Sequence, residues 1–136
     1  MATILLLGSD EALLEGLSQS LNALGHRTVL THHVGEAMEA AHAERPLIAI
    51  LPHRAVADDQ RALRLPTVPG GALVLYREPG EKPLAALNGS KRTVLADLVL
   101  PLERHRLTAL VQHVEERIRA TGREQTLGAR PERPRA

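Results

Sequence analysis

The feature that most constrains the fold is a set of five short apolar runs spaced along the chain. They lie at residues 3–7, 27–34, 47–51, 72–76 and 93–101. The first and third runs are apolar at nearly every position, which is typical of parallel strands buried on both faces. Because crossovers between parallel strands are right-handed, their helices cover both faces of the sheet. The pattern predicts a doubly wound α/β domain with a five-stranded parallel sheet in a three-layer α/β/α arrangement.

Helical spacing predicts the connections between these strands. Helices are expected after the first strand from Asp10, over 35–45, over 55–65, over 84–87, and over 103–120. Ser9 or Asp10 can cap the first helix, and Gly25 stands where a left-handed residue would end it. From Gly122 the sequence loses periodicity and becomes rich in Arg, Pro and Gly. We therefore expect one domain over 1–121 and a flexible Arg/Pro-rich tail over 122–136.

Composition excludes several function classes. With 17 basic and 16 acidic residues the formal charge is only +1, which argues against a dedicated nucleic-acid binder. The absence of cysteine excludes disulfides, thiolate metal sites and a cysteine nucleophile. One tyrosine, with no Phe or Trp, excludes a base-stacking platform. The first apolar run is too short for a signal peptide or a membrane span, so a cytoplasmic protein is expected.

Two blocks of the sequence carry a family resemblance. TILLLGSDEALLEGLSQSLNALGHRTVL at 3–30 and ADLVLPLERHRLTALV at 96–111 resemble the receiver domain of bacterial two-component response regulators. The resemblance spans residues 3–120. It implies a flavodoxin-like topology with strand order 2-1-3-4-5, a role in two-component signal transduction, and a cis peptide bond before Pro101.

The same resemblance implies where phosphorylation chemistry should lie. Receivers use an acidic pair after strand one, a phosphoacceptor aspartate after strand three, a small hydroxyl after strand four and a lysine after strand five. The carboxylates hold Mg²⁺, and the hydroxyl and the lysine contact the phosphoryl group. These positions fall on Gly8 and Ser9, on Pro52, on Tyr76 and on Leu100. All five side chains are changed. The resemblance therefore implies a pseudo-receiver that is not an enzyme and holds no metal or cofactor, with a former pocket that can close without an unpaired buried charge.

Other side chains near the strand ends offer alternatives to this interpretation. Asp10 is expected to be a helix cap rather than a metal ligand, and Asp58 with Asp59 could supply a displaced carboxylate site. His53, next to Pro52, could serve as an alternative phosphoacceptor or ligand, but a lone histidine after a strand is expected to be exposed and without a role. Coordination by His32 with His33 is not expected, because neighbouring strand residues point to opposite faces, and His42 adds no third ligand. No nucleotide-binding glycine motif accompanies the turn at 8–10, so a dry structural turn is favoured there over an anion site.

Three functional hypotheses follow. The first is a phosphorylation-independent receiver-like module that binds a signalling protein or kinase, and that could form a homodimer, through the fourth predicted helix, the fifth strand and the closing helix. The second is a domain that binds a small metabolite or nucleotide in the crevice at the strand ends. The third is nucleic-acid binding by the arginine-rich tail, which the balanced charge disfavours. The candidate residues of the interaction face are Leu84, Leu87, Leu95, Leu98, Arg104 and Arg106.

Overall fold

A single parallel sheet organises the chain. The computed structural model describes residues 2–81, 94–100 and 103–128. The strands lie in the order β2-β1-β3-β4-β5, which confirms the predicted doubly wound fold and its topology. Their bounds are β1 (Thr3–Leu7), β2 (Arg27–Thr31), β3 (Ile48–Pro52), β4 (Ala72–Arg77) and β5 (Val94–Val99).

Helices cover both faces of this sheet and complete the three layers. One core cluster joins one face of the sheet to α1 and α4, and a second joins the other face to α2 and α3. In β1, Ile4 and Leu6 belong to the first cluster while Leu5 and Leu7 belong to the second, so successive side chains fill opposite layers. This is why the run is apolar throughout. The helices are α1 (Glu11–Ala23), α2 (Val34–Glu44), α3 (His53–Asp58), a 3₁₀ helix (Gln60–Arg64) and α4 (Arg104–Gly128).

The segment after β3 differs from the single helix predicted over 55–65. The structure has α3 from His53 to Asp58 and then a separate 3₁₀ helix from Gln60 to Arg64. Asp59 separates them because its backbone is extended and its carboxylate accepts a hydrogen bond from Arg61 N at 3.0 Å. A side chain that caps a new helical turn in this way competes with continuation of the old one.

The last helix continues beyond the predicted end at residue 120. α4 runs to Gly128, so residues 122–128, predicted as tail, are helical. Residues 121–128 contain helix formers and no proline, and the single interior Gly122 costs only about 1 kcal/mol relative to alanine. The flexible tail stays a prediction for residues 129–136. Those residues, the predicted helix over 84–87 and Pro101 lie outside the described residues.

Candidate functional site

The five receiver positions meet at or near the carboxyl edge of the sheet, but they do not share one environment. Gly8 and Ser9 follow β1, while Pro52 at the end of β3 pairs in register with Tyr76 of β4. These four residues line one cleft. Leu100 does not line it: the side chain is 0% exposed and belongs to the apolar core beneath α1 and α4. The lysine position of a receiver is therefore part of the core in this chain.

The cleft at this edge is open, which corrects the expectation that the former pocket closes. Its volume is about 340 Å³, and it extends between the ends of β1, β3 and β4 and the first residues of α1, α2 and α3. Pro52 lines the cleft at the end of β3, and its short side chain does not fill the space above the strand ends. Crevices of this kind, outside the carboxyl ends of parallel strands, are where α/β sheets bind ligands.

Tyr76 occupies the space that a side chain at position 8 would need. The tyrosine is 4% exposed, and its hydroxyl donates a hydrogen bond to Leu7 O at 3.1 Å. A Cβ built on Gly8 would overlap this hydroxyl, so any larger residue there requires the tyrosine to move. This hydrogen bond thus links a side chain of β4 to the backbone at the end of β1. It is not a free donor toward the cleft, as the small hydroxyl of a receiver would be.

The environment of Tyr76 also keeps the phenol neutral. Burial raises the pKa of Tyr76 well above its ordinary range, and the nearby carboxylates of Glu78, Asp10 and Glu81 raise it further. Desolvation and negative neighbours both disfavour a phenolate. The side chain therefore acts as a hydrogen-bond donor at any physiological pH.

Carboxylates line the cleft, and most of them have partners. Asp10 caps α1 by accepting from Leu13 N at 3.1 Å, which confirms its predicted role. Glu81 accepts a hydrogen bond from Arg54 at 3.4 Å. Asp59 accepts several from Arg61, which hold the pKa of that carboxyl below its usual range.

The carboxylates of the cleft do not assemble into a metal centre. In the described parts of the chain, no group of three or more His, Asp or Glu side chains is arranged to hold a metal ion. Asp58 and Asp59 both line the cleft, but the carboxylate of Asp59 already accepts hydrogen bonds from Arg61. The alternative of a displaced carboxylate site at this pair therefore gains no support from the geometry.

His53 was predicted to be exposed, and this prediction is wrong. Its side chain is 3% exposed and its Nε2 lies 2.7 Å from Asp97 Oδ1. The contact ties the start of α3 to β5 across β4. The local sequence of His53 gives no sign of it, but Asp97 is the one charged residue of the apolar strand VLADLV, and a lone carboxylate there calls for a partner.

The other histidines near the cleft lie beyond the end of β2. The strand ends at Thr31, so the argument from opposite strand faces does not apply to His32 and His33. Both line the cleft. His32 Nδ1 lies 3.1 Å from Gly8 O, and His33 is the residue before α2. His42 lies in the last turn of α2, away from this edge.

The predicted interaction face is only partly present on the surface. Leu98 is 0% exposed and packs in the core with Leu100, so its inclusion in that face was wrong: alternation along β5 turns it inward. Arg104 and Arg106 are exposed at the start of α4. Leu95 lies at an irregularity in the pairing of β4 with β5, and nothing further is described for it. Leu84 and Leu87 lie outside the described residues.

Taken together, the strand order, the two-sided core and the crevice define a doubly wound, flavodoxin-like α/β domain. No protein-family model and no curated protein matches the chain. Solved structures do. A CheY-like response-regulator receiver domain from Methanospirillum hungatei JF-1 is 17% identical with a TM-score of 0.71, and the match covers 88% of this chain and 98% of that one.

Two further structures extend this comparison. NtrX from Brucella abortus, solved in complex with ADP, is 18% identical with a TM-score of 0.71 over 97% of this chain, which spans only 30% of the NtrX chain. The pseudo-receiver domain of CikA is 18% identical with a TM-score of 0.60, and the match covers 84% of this chain and 97% of that one. At these identities the similarity establishes the fold. Across the described parts of the chain, no helix is long and apolar enough to cross a membrane.

Proposed function

We propose that the chain is a pseudo-receiver: a receiver-like module of two-component signal transduction that works without phosphorylation, by binding other proteins. The observation that carries the proposal is the packing of Tyr76 against the backbone beside Gly8. Its hydroxyl lies where the first carboxylate of a receiver would project, and it is held there by Leu7 O. The site is therefore filled by a neutral donor that already has its acceptor.

The remaining receiver positions support the same proposal. Pro52 has no nucleophilic atom, and the buried Leu100 offers no cation to a phosphoryl group. Phosphoryl transfer depends on metal and cationic groups placed around the developing negative charge. This cleft instead carries the carboxylates of Asp58 and Glu78, which have no ion-pair partner and are not arranged with other described residues to hold a metal ion, so they would repel a phosphoryl donor. An activity as an enzyme is not part of the proposal.

Phosphorylation chemistry supplies the direct test. The full chain is incubated with acetyl phosphate, or with beryllofluoride, in the presence of Mg²⁺, alongside an ordinary receiver domain as the positive control. We expect no added phosphoryl group by intact mass and no Mg²⁺-dependent change in thermal unfolding. A stoichiometric phosphoprotein would contradict the proposal, and repeating the reaction with Asp58→Asn/Asp59→Asn would show whether those carboxylates are the acceptors.

Binding to a signalling protein or kinase is the second half of the proposal. Arg104 and Arg106 are the exposed members of the predicted face. A pull-down from the native cells compares the chain with Arg104→Glu/Arg106→Glu and with Arg64→Glu/Arg117→Glu, a control that reverses two exposed arginines elsewhere. We expect the first variant alone to lose a specific partner. Equal loss in both variants, or in neither, would contradict a role for this face. The cytoplasmic location and the homodimer through the same face are likewise proposed.

A small-ligand domain is the second candidate, and the open cleft of about 340 Å³ favours it. A cleft of this volume is large enough for a small metabolite. Its carboxylates disfavour nucleotides and favour ligands with an amine or guanidinium group. A thermal-shift screen with cationic metabolites tests this candidate. A saturable rise in the unfolding temperature that is lost in Glu78→Lys would support it, and no rise with any compound would count against it.

A further inference from the structure

The cleft at the carboxyl edge has two chemically distinct parts. We call its apolar lining the floor, which includes Leu13, Val34, Pro52 and Ala55, and its charged lining the rim, which carries five carboxylates against one arginine, Arg54. An apolar floor with an acidic rim suits a ligand that combines apolar surface with positive charge. We call this the acidic cleft; the rim carboxylates are Asp10, Asp58, Asp59, Glu78 and Glu81.

Among the described residues, two of these rim carboxylates form no ion pair or hydrogen bond through their side chains. Asp10 caps α1, Asp59 pairs with Arg61, and Glu81 pairs with Arg54. In contrast, the side chains of Asp58 and Glu78 make no hydrogen bond or ion pair with the described residues. Both are exposed at the mouth of the cleft. They are therefore available to a positively charged partner without breaking an existing contact.

The chain itself contains a segment of matching chemistry. Residues 129–136 read ARPERPRA, with three arginines and two prolines against one glutamate. Arginine pairs with carboxylates through two parallel hydrogen bonds. Proline adds apolar surface and restricts the backbone, which lowers the entropy that an extended segment loses on binding. Such a segment complements both the rim and the floor of the acidic cleft.

The direction of α4 prevents this segment from reaching the cleft of its own molecule. The helix starts next to the cleft, where Arg104 lines a small groove with Asp10 and Glu78. It then runs for 25 residues to Gly128, a length of roughly 36 Å at the α-helical rise. Eight further residues span at most about 28 Å even when fully extended. The segment therefore ends short of its own cleft, and only the cleft of another molecule is accessible to it.

We propose that the acidic cleft binds the 129–136 segment of a second copy of this chain. A donor at one end of the molecule and an acceptor at the other give a heterologous, head-to-tail contact, so the copies add in series rather than close into a two-fold dimer. This rests on the proposed function, because a cleft that served Mg²⁺ and phosphoryl transfer would not be available to a peptide.

Sedimentation velocity of the full chain over a range of concentrations and salt tests this proposal. Arg130→Glu/Arg133→Glu/Arg135→Glu reverses the segment, and Asp58→Lys/Glu78→Lys reverses the rim. The control, Glu39→Lys/Glu116→Lys, makes the same change in net charge as the rim variant, at two exposed glutamates outside the cleft. We expect concentration-dependent association that weakens with salt, with an association constant reduced by roughly tenfold or more in either test variant. The control should match the parent chain.

Mixing the two test variants gives the decisive measurement. In the mixture, the lysine rim of one variant faces the glutamate segment of the other, and the parent segment of the first faces the parent rim of the second. The mixture should therefore associate more strongly than either variant alone. A parent chain that stays monomeric at all concentrations, an association constant that reversal of the segment leaves unchanged, or a mixture that associates no more strongly than either variant alone would each overturn the proposal. Acetyl phosphate labelling of the same proteins is read separately, so failure of this proposal is distinguishable from failure of the proposed function.

Discussion

Replacing Gly8 with alanine tests how tightly the edge of β1 is packed against Tyr76. The new Cβ would overlap the tyrosine hydroxyl and would lie 3.3 Å from Leu14 Cδ2. The backbone itself is not an obstacle, because the glycines with positive φ are Gly25, Gly70 and Gly80. Any destabilisation must therefore come from the contact with Tyr76 and not from a strained backbone.

The size of the effect follows from three contributions. Forcing a methyl group into a packed site costs about 1–3 kcal/mol. Displacing the Tyr76 hydroxyl from Leu7 O also removes a buried hydrogen bond, worth about 0.5–1.5 kcal/mol. Alanine restricts the unfolded chain more than glycine does, which offsets about 0.4–1 kcal/mol. We expect Gly8→Ala to lower the free energy of unfolding by about 1–4 kcal/mol.

Tyr76→Phe provides the matched background for this experiment. Without the hydroxyl, the nearest atoms to the new Cβ are Leu14 Cδ2 at 3.3 Å and the ring Cζ at 3.6 Å, of which the second is ordinary van der Waals contact. The cost of Gly8→Ala should then fall below about 1 kcal/mol, because the entropic gain of alanine compensates the small remaining strain. The double-mutant cycle should show a coupling of about 1–3 kcal/mol between the two positions.

Urea unfolding followed by far-ultraviolet circular dichroism measures all four proteins of the cycle. The signal does not depend on aromatic residues, so Tyr76→Phe can be compared with the parent chain directly. The reasoning would be refuted if Gly8→Ala cost the same in both backgrounds. That result would mean that the tyrosine hydroxyl does not occupy the space beside position 8.

Three further predictions concern single side chains. Tyr76 is the only Phe, Trp or Tyr residue of the chain, so tyrosinate absorbance reports on it alone. Because its pKa is raised in the folded state, the free energy of unfolding should be unaffected below the ordinary tyrosine pKa of about 10 and should fall above it. Tyrosinate absorbance should appear only when the chain unfolds. Tyrosinate absorbance that appears while the chain is still folded would contradict this prediction. The pKa of the Glu103 carboxyl is lowered, and the main cause is the hydrogen bond that it accepts from Val99 N at 2.7 Å. The stability that this carboxylate contributes should be present above the ordinary carboxyl pKa and should disappear as the pH falls through the lower pKa of the folded state. Glu103→Gln should therefore lower the free energy of unfolding at neutral pH and change it little in acid. His53→Ala should lower the free energy of unfolding by about 1–3 kcal/mol, and more than Asp97→Asn; an effect no larger than that of an exposed histidine would count against a structural role.

The sequence predicted the elements whose signal is local. In β1, β3 and β4 every interior position faces one of the two core layers, so an uninterrupted apolar run was sufficient to identify them. The N-terminal cap of α1 was also readable, because Asp10 bonds Leu13 only three residues away. Signals of this kind depend on nothing but neighbouring positions in the chain.

Features that depend on tertiary partners escaped prediction. His53 and Asp97 are 44 residues apart, and neither position alone shows that they meet. Leu98 looks the same in sequence whether it faces the core or solvent, and only the register of β5 against β4 decides this. The residues lining the acidic cleft come from separate loops and helix starts, so its carboxylates become a group only when the strand order is known.

The packing around the five receiver positions also constrains the order in which receiver chemistry could be introduced. A carboxylate at position 8 requires a smaller residue at position 76 first, because the Tyr76 hydroxyl lies where its Cβ would be. A lysine at position 100 would place its stem in the apolar core, where Leu100 is 0% exposed, and its charge would need a carboxylate already in place. An aspartate in place of Pro52 would add a sixth carboxylate to a cleft in which the one arginine, Arg54, is already paired with Glu81. We therefore expect each single substitution to cost stability before it gains any function, and only a joint change that starts at Tyr76 to avoid that barrier.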